Sequence, residues 1–428
     1  MIPQYMKEKR FSAYYKLLTV GILLLGLLPE LVAVALTALL FLFYLVHNYI
    51  QKNRITADLT GMLLIFFDLF LFITVIWSEI ETNTLYSFVM WMCGIALFII
   101  IFNLCDTKTK IENVLLCFVG SAMLSSVVAI IQMSFMAVGK PELVPSPLYE
   151  NLSSWFSHIV MYPLFLEDAH DRVSSTFMTP LALSTFLVTA FPIAIFLGFY
   201  GKTKKRRGFA ILSALLIFFG ILFTFLKGTV FAVIVSLMLL SFAGKKPAKL
   251  MSAVAAVSSM TMLLVIYFRR GVTTAQDIST NSRLDLWKSC LNAFVAHPFG
   301  LGAGSDNVRR ILFKDGLFFA NAHNLFIEIL TETGVIGTLL FAVIMITVIK
   351  NIFELYDIRG WYKRYAIALA SSLIGFFAMS VFESTLSFPK EVIFFSVILG
   401  LISSVRNIAR KKGKLPQKGK ERVITVYE

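Results

Sequence analysis

The sequence predicts an all-α integral membrane protein of about twelve transmembrane helices, with both termini in the cytoplasm and two long exterior loops. Three observations predict it. Of 428 residues, 58% are apolar and only 15% are charged, against about 45–50% and about 25% in soluble domains. The mean hydropathy is +0.80. The apolar residues also fall into runs near the roughly 20 residues that a helix needs to cross a bilayer. This composition excludes a soluble enzyme, a disordered or collagen-like chain and a disulfide scaffold. The chain reads as a single polytopic domain over 1–428.

The runs lie near 14–28, 31–49, 59–77, 85–104, 112–138, 180–200, 208–226, 228–243, 250–268, 326–349, 365–385 and 391–405. Pro29-Glu30 splits the first pair, and Lys227-Gly228 splits the seventh from the eighth. The first run follows Lys7, Lys9 and Arg10, but Leu28-Pro29-Glu30 is a poor cleavage site, so it reads as a retained helix. The four cysteines share no polar loop, which predicts no structural disulfide.

Orientation follows from the cations. With the N-terminus inside and the spans alternating, 27 of the 39 Lys and Arg residues fall in cytoplasmic segments and 11 outside. Every cytoplasmic turn is then basic, as the positive-inside rule requires. The net charge of +14 is therefore topological, and nucleic acid is not an expected partner. The basic tail, 406–428, reads as a solvated cytoplasmic segment beside anionic lipid.

Two exterior loops, 139–179 and 269–325, are too long for plain connectors, and loops of that length usually carry function. In the second, Leu284, Leu286, Trp287, Leu291, Phe294 and Val295 form a helical apolar stripe suited to the membrane surface. His158, His170, His297 and His323 all fall in these loops, as do Arg172, Arg269, Arg270, Arg283, Arg309 and Arg310. The planar guanidinium fork suits a diphosphate; the plainer alternative is salt bridging to nearby acids. His323-Asn324 opens the tenth span, and Gly334 and Gly337 follow within it, where glycines allow close helix approach. Gly300, Gly302 and Gly304 alternate, which either makes a plain turn or aims backbone N–H groups at an anion. The acids and histidines lack metal-ligand spacing, and no nucleotide-binding glycine pattern occurs, so no cofactor is expected.

The order Arg172…Thr176-Phe177…Pro180, Arg283-x3-Trp287, Pro298-x-Gly300-x-Gly302 and His323-Asn324-x9-Gly334-x2-Gly337 resembles the O-antigen ligase and O-antigen polymerase superfamily. These are bacterial membrane glycosyltransferases of the metal-independent GT-C type. The motifs cover about 170 to 340. Relatives often carry Ser-Arg-Gly in the hairpin after the seventh span; this chain has Leu226-Lys227-Gly228, which keeps the cation and loses the fork.

The resemblance implies transfer of a glycan from an undecaprenyl-diphosphate carrier to an acceptor glycan hydroxyl at the outer face of the bacterial cytoplasmic membrane. Polymerisation of a surface polysaccharide is favoured over ligation to a lipid A core, with a chain-length regulator as a further candidate partner. Arg172, Arg283 and, more weakly, Lys227 become the candidate diphosphate ligands. His323 is the candidate base, and Glu383, near the outer end of the eleventh span, is a second. Trp287, Gly300, Gly302, Asn324, Gly334 and Gly337 are structural motif positions. Glu328 and Glu332, four apart on one helix face, are placed to orient Arg283 or His323. Two other classes compete. A flippase or other transporter would need midplane polar residues and inverted repeats; Asp68 and Gln132 are nearly all there is, and no repeat shows. A cell-wall glycosyltransferase of the shape and division type shares the donor but not the His-Asn-x9-Gly element.

Overall fold

The computed structural model describes residues 4–137, 173–244 and 275–415, plus the single positions 253, 257 and 260. These residues form thirteen helices and no strand: α1 (Gln4–Leu25), α2 (Glu30–Gln51), α3 (Leu59–Ile73), α4 (Glu81–Leu104), α5 (Lys108–Ala137), α6 (Pro180–Tyr200), α7 (Lys204–Phe223), α8 (Lys227–Leu240), α9 (Ala275–Ala296), α10 (Ser305–Lys314), α11 (Leu325–Tyr356), α12 (Trp361–Ser380) and α13 (Pro389–Lys411). Eight are long and apolar enough to cross a membrane, and Tyr14–Leu25 and Lys227–Ala243 are shorter apolar stretches. The protein is an all-α, multi-pass membrane protein. Eleven of the twelve expected runs coincide with a described helix; the run near 250–268 lies outside the described residues, apart from isolated positions.

Local signals set the ends. Asp58, Thr179, Thr203 and Asn324 each cap the next helix through a side-chain oxygen. Pro180 and Pro389 open α6 and α13, where a missing N–H is harmless. α6 and α13 are buried along 94% of their apolar windows and form the centre of the bundle. α2 and α7 are 28% buried and turn most of their apolar surface outward, the expected pattern for helices facing lipid.

Long-range hydrogen bonds gather the turns into two groups. At one end, Asn307 of α10 takes the Ile80 N–H at 3.0 Å, and Thr84 donates to the Ala303 carbonyl at 2.8 Å. Thr176 donates to the Gly26 carbonyl at 2.5 Å, and the Lys390 backbone N–H reaches Glu30 at 3.0 Å. At the other end, Arg206 pairs with Glu112 at 3.1 Å and Arg406 with Glu354 at 2.7 Å. The first group comprises turns that the alternation assigns to the exterior, and the second those assigned to the cytoplasm.

Four details differ from the sequence reading. The eleventh run does not continue to 385: α12 stops at Ser380, because Ser380 and Thr385 hydroxyls meet at 2.6 Å and Leu386 takes φ +74° in a turn before Pro389. Glu383 therefore lies in that turn and not on the helix. The tenth span reaches Tyr356 and is broken at Gly334 (φ +61°, ψ −161°). α13 runs past Arg406 to Lys411, with Arg406 buried, so the solvated tail starts later than 406. On α9 the buried face is Leu286, Ser289, Cys290 and Ala293, while Leu284, Leu291 and Val295 of the expected stripe are exposed. That helix is apolar on two faces: one packs on α11 and α10, and one is open. Cys93, Cys105, Cys117 and Cys290 are all free thiols.

Candidate functional site

Glycine geometry creates the platform for the site. The break at Gly334 leaves Thr331 O and Glu332 O without partners inside α11. They accept the N–H groups of Leu301 and Gly302, each at 3.0 Å, and Val335 N–H donates back to Pro298 O at 3.0 Å. The 298–302 segment is thus spliced into a break in a membrane helix. Gly300 and Gly302 adopt φ +87° and +102° to permit it. A Cβ on Gly334 would lie 2.3 Å from Pro298 O and 2.4 Å from Phe299 C. Of the two readings of the glycine run, the plain turn holds, since the N–H groups of Gly300, Leu301, Gly302 and Ala303 are all taken within the protein. Gly337 fits the close-approach reading, with Phe70 of α3 at 3.0 Å from an added Cβ. Gly334 brings close a loop, not a helix.

The turn carrying His323 is held from every side. The Trp287 indole N–H donates to Ala322 O at 3.0 Å. The Ala322 N–H donates to Glu328 at 2.6 Å, and the His323 N–H to Asn321 at 3.0 Å. Asn324, not His323, caps α11, accepting from Phe326 and Ile327 at 3.0 and 3.2 Å. Its amide also donates to Val381 O at 3.2 Å, which ties this turn to the 381–388 turn. So constrained, His323 takes φ +47°, a left-handed conformation rare outside glycine and a sign of local strain.

The structure brings the two candidate bases together. His323 Nδ1 lies 3.0 Å from Glu383 Oε2, with the histidine side chain 24% exposed and the glutamate 6%. A carboxylate on Nδ1 fixes the proton there in the neutral ring and leaves Nε2 as a lone-pair acceptor. Burial pulls His323 toward the neutral form; the hydrogen bond and charge of Glu383 outweigh that and raise it above the ordinary imidazole range, with Arg283 opposing. Phe319 packs edge-on to the ring at 6.0 Å. Such a pair can take a proton from a hydroxyl and hold the resulting imidazolium.

The cations fall into two groups. Arg309 pairs with Asp306 at 3.0 Å and Arg310 with Glu79 at 3.0 Å, both at the surface, as the plainer alternative expected. Half-buried Arg283 has no ion pair among the described residues, yet it is near enough to act on His323. Lys227 is exposed at the first position of α8. Its neighbour Gly228 abuts Phe382, 3.3 Å from an added Cβ and next in sequence to Glu383. Arg172, Arg269, Arg270, His158 and His170 lie outside the described residues. Behind the dyad is a cavity of about 50 Å³ lined by Asn83, Ser87, Glu328, Glu332, Thr385 and Ser387. Among the described residues, no three His, Cys, Asp or Glu side chains gather to hold a metal ion.

Sequence reasoning missed two features. Fully buried Lys390 donates to the Thr176 carbonyl at 2.7 Å and hydroxyl at 3.1 Å and lies 4.0 Å over the Phe177 ring. Gln132, which the transporter reading would need, exchanges two hydrogen bonds with the Ser175 backbone at 2.8 and 3.0 Å. Together they pin the chain just after Arg172. The Thr176-Phe177 pair in the motif was the available signal, but nothing in the sequence joins it to position 390.

No curated protein matches the chain. A family model described as O-antigen ligase matches residues 175–342, about two fifths of the chain, a stretch that contains Lys227, Arg283, His323 and Gly334 and leaves Arg172 and Glu383 outside. The match, from the pinned strap after Arg172 to the helix beyond the glycine break, supports the resemblance of this chain to the O-antigen ligase and polymerase superfamily.

Proposed function

We propose that this protein transfers a glycan from an undecaprenyl-diphosphate carrier to a hydroxyl of an acceptor glycan, at the outer face of the bacterial cytoplasmic membrane. The observation that carries the reading is the His323–Glu383 pair, 3.0 Å apart where a loop enters a membrane helix, within reach of the field of an arginine that has no ion pair among the described residues.

His323 Nε2 takes the acceptor proton as the hydroxyl oxygen attacks the anomeric carbon. The bond from that carbon to the diphosphate breaks, and its electron pair leaves with the carrier. Glu383 orients the ring and stabilises the imidazolium. Arg172, Arg283 and Lys227 offset the charge that grows on the departing diphosphate, the electrostatic role that positioned cations fill in phosphate chemistry. Arg283 has the fork for two oxygens, whereas Lys227 offers a point charge. We favour polymerisation of surface polysaccharide repeat units, with a chain-length regulator as partner. The second reading is ligation, which the family description O-antigen ligase supports; the acceptor would then be a lipid A core or a similar envelope glycan.

The test uses purified protein in proteoliposomes with a lipid-diphosphate glycan and an acceptor. His323→Ala should cut transfer by about 10²–10⁴, the usual value of general base help, and leave donor binding unchanged. If His323→Ala abolished donor binding while bound donor still reacted at the normal rate, His323 would be a diphosphate ligand and the proposed mechanism would fail.

A further inference from the structure

Glu328 lies one turn inside α11 and is 2% exposed. Its Oε2 accepts two hydrogen bonds, from the Ala322 N–H at 2.6 Å and from the Ser384 hydroxyl at 3.1 Å. Ala322 immediately precedes His323, and Ser384 immediately follows Glu383. One buried oxygen therefore ties together the two turns, 60 residues apart, that carry the two members of the dyad. The Ser384 oxygen closes the ring by accepting the Asn324 N–H at 3.3 Å. Neither turn is relaxed: His323 has φ +47° and Leu386 φ +74°. Strained conformations of this kind persist only where surroundings over-determine them, and Glu328 supplies a shared support.

We propose that Glu328 is a positioning residue, whose Oε2 sets the distance between His323 and Glu383 without touching either substrate. The proposal rests on reading the dyad as the base. A hydrogen bond to a buried carboxylate is among the stronger ones a protein makes, and two on one atom fix direction as well as distance. Among the described residues no N–H or alcohol donor reaches the second oxygen, Oε1, and Glu328 and Glu332 line one cavity. The function assigned to Glu328 thus needs an acceptor at Oε2 and not a negative charge. A glutamine carbonyl can accept both donors, while its NH2 group occupies the cavity side, within reach of Glu332.

The experiment compares E328A and E328Q in the purified, reconstituted chain, reading turnover, donor binding and the pH profile of kcat. A misplacement of about 1 Å at a reacting group can cost about 10²-fold, so E328A should lose about that factor in kcat with donor binding unchanged. Its acidic limb should move to lower pH, because an imidazole parted from Glu383 loses the contact that raises it; Arg283 and Glu328 are the other charges acting on the ring. E328Q should keep most of the turnover and move the limb only by the smaller amount that the charge of Glu328 contributes. Should E328A fail to insert, S384A removes one of the two bonds and should show a several-fold loss with the same direction of limb shift. The proposal is overturned if E328Q falls as far as E328A, or if E328A or S384A keeps the wild-type limb. A His323→Ala protein with full transfer would instead overturn the dyad reading itself, whatever the Glu328 variants do.

Discussion

Gly334→Ala tests whether the glycine break in α11 builds the platform for the site. Two costs add at this position. The φ/ψ pair of +61° and −161° lies in a region that is essentially glycine's alone, worth about 1–3 kcal/mol for another residue. The new methyl would also meet Pro298 O at 2.3 Å, Phe299 C at 2.4 Å and Gly300 N at 2.6 Å, all backbone atoms that cannot rotate away, and such overpacking costs about 1–3 kcal/mol. The sum is about 2–6 kcal/mol. Even the lower value shifts the spliced population about 30-fold, at 1.4 kcal/mol per decade. The affected bonds hold 298–302 to 331–335, the stretch of α11 just beyond Glu328. The assay is a thermal melt in detergent alongside glycan transfer. Gly316→Ala is the control: it also has a positive φ, +76°, but nothing lies within 4 Å of its Cβ, so only the left-handed cost of roughly 1–2 kcal/mol remains. Gly334→Ala should melt well below both wild type and Gly316→Ala and lose most transfer. A Gly334→Ala protein that melts and transfers like Gly316→Ala would refute the splice.

Three further outcomes are expected. A cysteine at Ser305 should react with an impermeant thiol reagent from outside, and one at Lys414 only after permeabilisation, following the charge asymmetry of the turns; the reverse pattern would put the site on the wrong face. Arg283→Lys should lose most transfer because a point charge cannot replace a bidentate fork, whereas Lys227→Arg should be tolerated; near-normal product from Arg283→Lys would move the diphosphate role elsewhere. Because His323 is raised above its unfolded value, its pair with Glu383 stabilises the fold fully below pH about 6.5 and loses that contribution as pH rises through the raised folded value. Transfer should run oppositely and fall with acidity as the ring protonates, so a kcat profile flat from pH 5 to 8 would contradict the assignment.

The helices were legible because hydropathy and charge are local. Twelve runs can be counted, and turns such as Pro29-Glu30 located, without any knowledge of packing, and eleven of them coincide with described helices. His323 was legible for a similar reason: a titratable ring at a loop-to-span junction stands out against apolar sequence. Its partnership with Glu383 was not, since the two are 60 residues apart and nothing in either segment names the other. The sequence places Glu383 at a helix end because apolar composition continues past Ser380, while the hydroxyl contact that ends the helix leaves no mark in composition. The glycine run was ambiguous because an anion nest and a splice both need positive φ; only the partners of the N–H groups distinguish them. The stripe read on α9 divides in the structure, Leu286 packing inward and Leu284, Leu291 and Val295 exposed, because the helix is apolar on two sides and periodicity cannot say which side meets protein. Glu328 is recognisable from the sequence as a candidate orienting group, but of its two donors only Ala322 is local, and Ser384 comes from a turn 56 residues away.

The most direct test of the central claim is a double-mutant cycle on His323 and Glu383, read as kcat for glycan transfer in proteoliposomes. Residues that act as one unit are grossly non-additive. His323→Ala should cost about 10²–10⁴, Glu383→Ala should fall in the same range, and the double variant should be no slower than His323→Ala alone, with donor binding equal in all three. Losses that multiply in the double variant, or a His323→Ala protein at the wild-type rate, would contradict the dyad and with it the proposed mechanism.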